Sequence, residues 1–525
     1  MRSTALFYFI CGVLISLAVW LRIQNLDSRP MHTDEAVHAV KFGTLLEQGD
    51  YVYDHQEYHG PTLNYFTLLP AWLIGQKTIE KIDEFTLRIV PVIFGILVCV
   101  AFLLLAGALG RITVVACLFF TAVSPAMVFY SRYYIQEMLL VFFTFSLIVS
   151  GYFLFRTSKL RWAATTGVFL GLMHATKETW IIAVAAIVLA AGGIIWSERD
   201  KLQFPPRFTL LKITGILFVC FTLTSILFYS SFGANPAGIW QSVYAYLTYF
   251  DRATNNAIHL HPWHYYLKIL TFFKAGDGPV WSEFAVLFFS IVGIVYAFSR
   301  YELDQSKRLL QRFFSLYSII MVIVYSLIPY KTPWNLLSFY HGFIILAGIG
   351  VCSLWNRYRS GFKRGMLIGV CAIGGTHLLW QTTLMSGEYE AHPANPYVYG
   401  HTHPDIFEIV QQIENCAAAQ PGKKAFYMQV MCSAGDYWPL PWYLRNYSHI
   451  GWWDRLPEHI PNAPLVIFSP DLESNFVHKI YDLAPPGERY LYIRLFDEPM
   501  YLRPGIEVRC YVRKKEWDIL HRSTD

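Results

Sequence analysis

Residues 88–130 read RIVPVIFGILVCVAFLLLAGALGRITVVACLFFTAVSPAMVFY. Only Arg88 and Arg111 are charged in this stretch, and Arg111 stands at a Gly-Arg break between apolar runs at 88–109 and 112–130. About 20 apolar residues cross a bilayer as a helix. The stretch is therefore two membrane spans joined by a short turn whose single charge is basic, and it decides the fold class.

The same pattern recurs through the first 385 residues, with runs near 4–23, 138–155, 162–176, 180–196, 213–232, 284–298, 313–329, 335–355 and 366–385, eleven in all. Composition agrees: the 525 residues are 54% hydrophobic and 15% charged, too apolar for a soluble globular chain. The last 140 residues hold 13 Lys/Arg and 18 Asp/Glu, against 29 and 19 in the first 385. The expected architecture is a polytopic α-helical membrane domain over 1–385, with a first outer loop at 24–87, and a small α/β extracytoplasmic domain over 386–525. The latter carries a helix-like stretch at 405–419 and strand-like runs at 425–431, 464–469, 490–495 and 506–512. Only Met1 and Arg2 precede the first run and no small-residue cleavage site follows it, so it reads as an uncleaved span. Residues 61–76 are apolar but short and interrupted by Pro70, which suggests an interfacial segment.

With the N-terminus in the cytoplasm, the inside loops collect Arg2, Arg111, Arg156, Lys159, Arg161, Arg199, Lys201, Arg207, Lys212, Arg300, Lys307, Arg308, Arg312, Arg357, Arg359, Lys363 and Arg364. Only Glu198, Asp200, Glu302 and Asp304 are acidic there. This bias follows the positive-inside rule without a break and places the tail outside a cytoplasmic (inner) membrane. Net charge is +5 and the basic residues are scattered, which excludes a nucleic-acid face. Six cysteines lie in apolar runs. Cys416, Cys432 and Cys510 of the tail permit one disulfide at most, with the pairing open.

The outward acids are where chemistry is sought. Asp34 and Glu35 open a helix-like stretch about ten residues past the first span. An acid at such a position is also an ordinary cap or dipole partner. Glu137 lies in Ser131-Arg-Tyr-Tyr-Ile-Gln-Glu, where Arg132 is a natural partner. Lys177 and Glu178 fall in the polar knot His174-Ala-Thr-Lys-Glu-Thr-Trp, and Lys331 in Pro329-Tyr-Lys-Thr-Pro-Trp-Asn. Charges at such depth are costly and tend to be functional or paired, although a lysine there also snorkels to the interface. Acids and lysines on turns of one face suit an anionic head group, and the chemistry they permit is glycosyl transfer from a lipid phosphate. A carboxylate deprotonates the acceptor hydroxyl as it attacks the anomeric carbon, the phosphate leaves on the opposite face, and lysines neutralise it. No general acid and no cofactor are required. Of the outward histidines His32, His38, His55, His59, His259, His261 and His264, none shows a closed zinc spacing; a divalent metal beside Glu57 or Glu137 is the one metal alternative.

Several of these features together resemble the GT-C membrane glycosyltransferases: the Asp34-Glu35 pair, His59-Gly60-Pro61 closing the first outer loop, Arg132-Tyr followed by Glu137-Met-Leu, and the Thr176-Lys177 turn. The branch is that of the dolichyl-phosphate-mannose protein mannosyltransferases and the aminoarabinose transferase of lipid A. Tyr330-Lys-Thr-Pro-Trp-Asn, Asn395-Pro-Tyr-Val-Tyr-Gly-His-Thr and Trp438-Pro-Leu-Pro-Trp-Tyr-Leu-Arg look like a prokaryotic sub-branch labelled flippase-associated in protein N-glycosylation. The resemblance implies Asp34 as the acceptor-side base, Glu35 shaping the same site and Glu137 as the second acid of a catalytic set. It implies Lys177, Lys331 and Arg132 at the donor phosphate, with His59, Glu178 and Tyr330 in the substrate cavity. The implied donor is a polyprenyl-phosphate sugar reached from the outer leaflet, and the acceptor a protein, lipid or glycan. Two other readings are a transport accessory for lipid-linked sugars, which would favour repeated halves and acids at span centres, and a binding scaffold. The scaffold would use the tail aromatics Tyr437, Trp438, Trp442, Tyr443, Trp452 and Trp453, which equally suit a domain core.

Overall fold

The computed structural model describes residues 4–56, 59–202, 204–255, 259–299, 304–420, 423–458, 462–485, 487 and 489–522. Met1, Arg2, Glu57, Arg300 and Glu302 lie outside the described residues. Two compact units are formed, one from Met1–Leu26, Gln48–Gly75 and Asp83–Tyr399, the other from Asp27–Glu47, Gln76–Ile82 and Gly400–Asp525.

The larger unit is helical, and each of the eleven apolar runs forms helix. Among the described residues, eight helices are long and apolar enough to cross a membrane: Thr4–Ile23, Glu84–Leu109, Glu137–Thr157, Trp180–Lys201, Arg207–Tyr229, Gln305–Leu327, Pro333–Arg357 and Gly361–Met385. This is a multi-pass membrane protein. A ninth run is broken, Arg111–Val123 meeting Pro125–Ser131 at 60°. The last two runs, Leu160–His174 and Phe284–Phe298, have 15 residues each, about 22 Å of helix against ~30 Å of hydrocarbon. Residues 61–76 contribute the helix Thr62–Ile74, too short to span, with Leu69, Trp72, Leu73 and Ile74 exposed. Helices Phe284–Phe298 and Leu337–Arg357 approach to backbone contact. A Cβ on Gly293 would lie 2.0 Å from the Leu346 carbonyl oxygen, and one on Gly350 2.1 Å from that of Phe289.

The break at Ser124-Pro125 positions the second acidic motif. Pro125 has no N–H to give to the preceding turn, so the carbonyls of Thr121, Ala122 and Val123 lose their helical partners. Fully buried Arg22 donates to the Thr121 and Ala122 oxygens at 2.9 and 3.4 Å, and the Thr382 hydroxyl to that of Val123 at 2.8 Å. Across the break, Glu283 accepts from the Ser124 hydroxyl at 2.7 Å and the Ala126 N–H at 2.8 Å. The phenols of Tyr397, at 2.7 Å, and Tyr340 complete its shell. A cation thus meets the new C-terminus and an anion the new N-terminus, as the helix dipole favours, and the exposed carbonyls are satisfied where no water is at hand. The bend carries the chain into the turn 132–136 ahead of the helix Glu137–Thr157.

The smaller unit contains a mixed sheet of β1 (Met428–Met431), β2 (Ile450–Trp453), β3 (Leu465–Phe468), β4 (Tyr492–Arg494), β5 (Met500–Arg503) and β6 (Ile506–Arg513), in the order β2-β1-β3-β6-β4 with β5 also on β6. β1 pairs in parallel with β2 and β3, while β6 is antiparallel to its neighbours. β1 and β3 are buried throughout, which explains their continuous apolar runs. The helix Asp405–Ala418 lays Ile406, Ile409 and Ile413 into the same core. The four expected strands and this helix are all present. β2 and β5 are additional, each four residues long, and Ile-Gly-Trp-Trp of β2 has no period-2 alternation to read. Cys416, Cys432 and Cys510 are buried and free, and none forms the disulfide that the sequence left open.

Candidate active site

Two turns of the larger unit bring four of the expected residues together. His59-Gly60-Pro61 docks on the turn after the helix Leu160–His174: the Thr62 N–H donates to the Ala175 carbonyl at 3.2 Å and the Thr62 and Thr176 hydroxyls meet at 2.8 Å. Gly60 is required by proximity, since a Cβ there would lie 2.3 Å from the Ala175 oxygen. The docking sets His59 Nδ1 2.7 Å from the Glu178 carboxylate, which also accepts from the Tyr53 phenol at 3.2 Å. Burial raises the pKa of Glu178, but His59 beside it more than offsets this and holds the carboxyl below its usual range. Burial and the same carboxylate push the Tyr53 phenol up.

Next in sequence to Glu178, the Lys177 ammonium pairs with Glu137 and donates to the Asn335 side-chain oxygen at 3.4 Å. Lys177 and Glu137 are each about 5% exposed. Burial works against the ammonium, yet Glu137 holds its pKa above the ordinary lysine value. A pair in such surroundings is stable only while both members are present. Glu137 therefore chooses Lys177 rather than Arg132. The Arg132 guanidinium donates instead to the carbonyls of Arg22, Gln24 and Asn25, at 3.3 Å for Arg22 and 3.0 Å for Asn25, closing the end of the helix Thr4–Ile23.

Lys331 is buried at 1% exposure and donates to the carbonyls of Ile328 and, at 3.2 Å, His261. Its turn is joined to 259–261 by the Lys331 N–H to the His259 carbonyl at 3.0 Å and by a Leu260–Tyr330 bridge, with the Tyr330 ring edge-on to His259. Burial pushes its pKa down, and among the described residues no carboxylate neutralises it. An anion is the counter-charge that such a site lacks.

Asp34 and Glu35 belong to the smaller unit, at the start of the helix Thr33–Gln48. Glu35, fully buried, accepts from the Arg29 guanidinium at 2.9 Å and reaches back to the His32 N–H at 2.9 Å, while His32 Nδ1 accepts from the Asp34 N–H at 3.1 Å. His32 and Glu35 thus share the reciprocal capping of this helix. The Asp34 carboxylate is partly exposed and takes no hydrogen bond or ion pair among the described residues. Sequence reading missed Tyr53, Asn335 and Glu283. The signal for Glu283 was available: a lone acid immediately before the apolar run at 284–298. Among the described residues no three His, Cys, Asp or Glu side chains group as metal ligands.

Residues 12–234 match the family described as dolichyl-phosphate-mannose-protein mannosyltransferase. No curated protein matches the chain. Among solved structures, ArnT from Cupriavidus metallidurans bound to undecaprenyl phosphate is similar with a TM-score of 0.62 at 14% identity, over 95% of this chain and 97% of that one. The archaeal oligosaccharyltransferase AglB from Archaeoglobus fulgidus, in complex with an inhibitory peptide and a dolichol-phosphate, gives 0.53 at 11% identity, over 93% and 73%. The arabinofuranosyltransferase AftD from Mycobacteria gives 0.51 at 14% identity, over 98% of this chain and 40% of that one.

Proposed function

Because the chain has the fold of the GT-C membrane glycosyltransferases over nearly its whole length, we propose that it transfers a sugar from a polyprenyl-phosphate-linked donor to a protein, lipid or glycan acceptor. The transfer inverts the anomeric centre of a hexosyl or pentosyl group and takes place on the outer face of the cytoplasmic membrane. In that orientation the N-terminus is cytoplasmic and the domain from residue 386 onward is extracytoplasmic, as the bias of basic residues suggests. The lipid phosphates bound to ArnT and AglB support the donor class.

Asp34 takes the proton of the acceptor hydroxyl as that oxygen attacks the anomeric carbon, and the C–O bond to the donor phosphate breaks on the opposite face. Lys331, a buried cation without a counter-ion among the described residues, receives the leaving phosphate, with Lys177 as the second cation. Glu137 keeps Lys177 charged and fixed, Glu178 and His59 hold the turn that carries it, Arg132 closes the end of the helix Thr4–Ile23, and Glu35 fixes the start of the helix that carries Asp34.

One contrast carries the residue assignment: in the dipeptide Asp34-Glu35 the second carboxylate is buried and paired, whereas the first is open. The test is transfer from an undecaprenyl-phosphate sugar by the purified protein. Asp34→Asn should lower kcat by about 10²–10⁴-fold, the range for a general base, with unchanged thermal unfolding, and the product should carry the opposite anomeric configuration to the donor. A well-folded Asp34→Asn protein with full transfer would remove Asp34 from the mechanism.

A further inference from the structure

At the other end of the larger unit lies a cavity of about 420 Å³ lined by Gly110, Arg111, Lys307, Gln311 and Asn356 among others. Arg111 opens the helix Arg111–Val123 and Lys307 opens Gln305–Leu327. Lys331 follows the far end of the latter helix, whose 23 residues measure about 34 Å. The cavity is thus separate from the Lys177 and Lys331 turns.

Its chemistry is one-sided. Two cations line it and none of its described lining residues is acidic. The Arg111 guanidinium is held from one side, donating to the Thr4 hydroxyl at 3.0 Å and resting 5.5 Å from the Phe7 ring, which leaves further N–H donors for a ligand. The Lys307 ammonium has no carboxylate partner among the described residues. The helix beginning at Arg111 has no side-chain cap, because residue 110 is glycine at φ +95°, so its first N–H groups add to the positive field. Gln311 is 5% exposed and its Oε1 has no hydrogen-bond partner, although its residue lines the cavity together with Asn356. Amides beside cations suit a ligand that carries hydroxyls beside a phosphate.

We propose that this cavity binds a phosphoglycerol-type group, a phosphate bearing a hydroxylated substituent, through Arg111 and Lys307. The group comes either from an anionic lipid head group or from a soluble glycerol phosphate. The assignment stands apart from the sugar-transfer reading, because none of these residues enters that mechanism.

The test uses the full-length protein in a neutral detergent. Binding of dioleoyl phosphatidylglycerol, dioleoyl phosphatidylcholine and glycerol 3-phosphate is measured by native mass spectrometry and by the shift in thermal unfolding. The expected result is a preference for the glycerol lipid over the choline lipid, reduced about fivefold by either Arg111→Gln or Lys307→Gln and about thirtyfold by both, from ~1 kcal/mol per basic residue near a phosphate surface. Glycerol 3-phosphate binding with the same dependence, and no lipid preference, assigns the soluble source instead. Arg111 also holds Thr4 and Phe7, so Lys307→Gln is the decisive variant. If Lys307→Gln binds all three probes as the unsubstituted protein does, the proposal is overturned.

Discussion

Replacing Gly60 with alanine puts a Cβ 2.3 Å from the Ala175 carbonyl oxygen, 2.5 Å from its carbon and 2.9 Å from the Thr176 nitrogen. All three are backbone atoms, so no side-chain rotation relieves the clash, and the two segments must separate by about 1 Å to reach ordinary contact. That displacement stretches the Thr62 N–H bond to Ala175, now 3.2 Å, the hydroxyl pair Thr62–Thr176 at 2.8 Å and the His59–Glu178 contact at 2.7 Å. Overpacking of this kind costs about 1–3 kcal/mol, which thermal unfolding in detergent reads directly. Lys177 follows the displaced turn, and a misplacement of about 1 Å at a positioned group costs roughly 10²-fold in rate. Gly60→Ala should therefore lose about two orders of magnitude in kcat for transfer from an undecaprenyl-phosphate sugar while still folding. Gly60→Ala with unchanged unfolding and unchanged transfer would refute the docking of the two turns. Unchanged transfer with lowered stability would refute the link between this turn and the donor.

Glu35→Gln should destabilise the protein by about 3–5 kcal/mol in thermal or denaturant unfolding, because it removes the carboxylate that pairs with the buried Arg29 guanidinium; Asp34→Asn, which removes no contact among the described residues, should stay within about 0.5 kcal/mol. Glu137→Gln leaves the Lys177 ammonium buried without its counter-charge, and should cost a similar 3–5 kcal/mol; the double variant Glu137→Gln with Lys177→Met should recover part of that loss, as a double-mutant cycle would show. The pH profile has a defined sign. Glu178 has a depressed folded pKa, so its contribution is present above the ordinary value of 4.5 and is lost as pH falls below it, whereas the raised Lys177 contributes below 10.5 and loses its share only above that. Unfolding temperatures from these two groups should hence be flat between those limits, and His59→Gln, which leaves burial's upward push on the Glu178 carboxyl without its largest opponent, should flatten or reverse the acid limb; an acid limb of unchanged depth would exclude His59 as the cause of the Glu178 shift.

The spans and the small domain were legible because their signals are local. Run length reveals a helix such as Glu84–Leu109, and a buried four-residue run such as Leu465–Phe468 reads as a strand; β2 escaped because its pairing with β1, not its own pattern, makes it a strand. The acids and lysines of the site were legible as types in positions, since a charge beside an apolar run needs a reason. Their pairing was not. Arg132 lies five residues from Glu137 and looks like its partner, but the 60° bend at Pro125 sends its guanidinium to the carbonyls of residues 22–25, and Glu137 takes Lys177, forty residues on. The same bend explains Glu283. A broken helix in a membrane exposes one end that seeks a cation and one that seeks an anion, and the chain supplies Arg22 about 100 residues before the break and Glu283 about 160 after it. Pro125, preceded by the capping Ser124, is therefore the local mark of this distant pair of charges, whereas Pro91 of the same stretch sits inside the unbroken helix Glu84–Ala101.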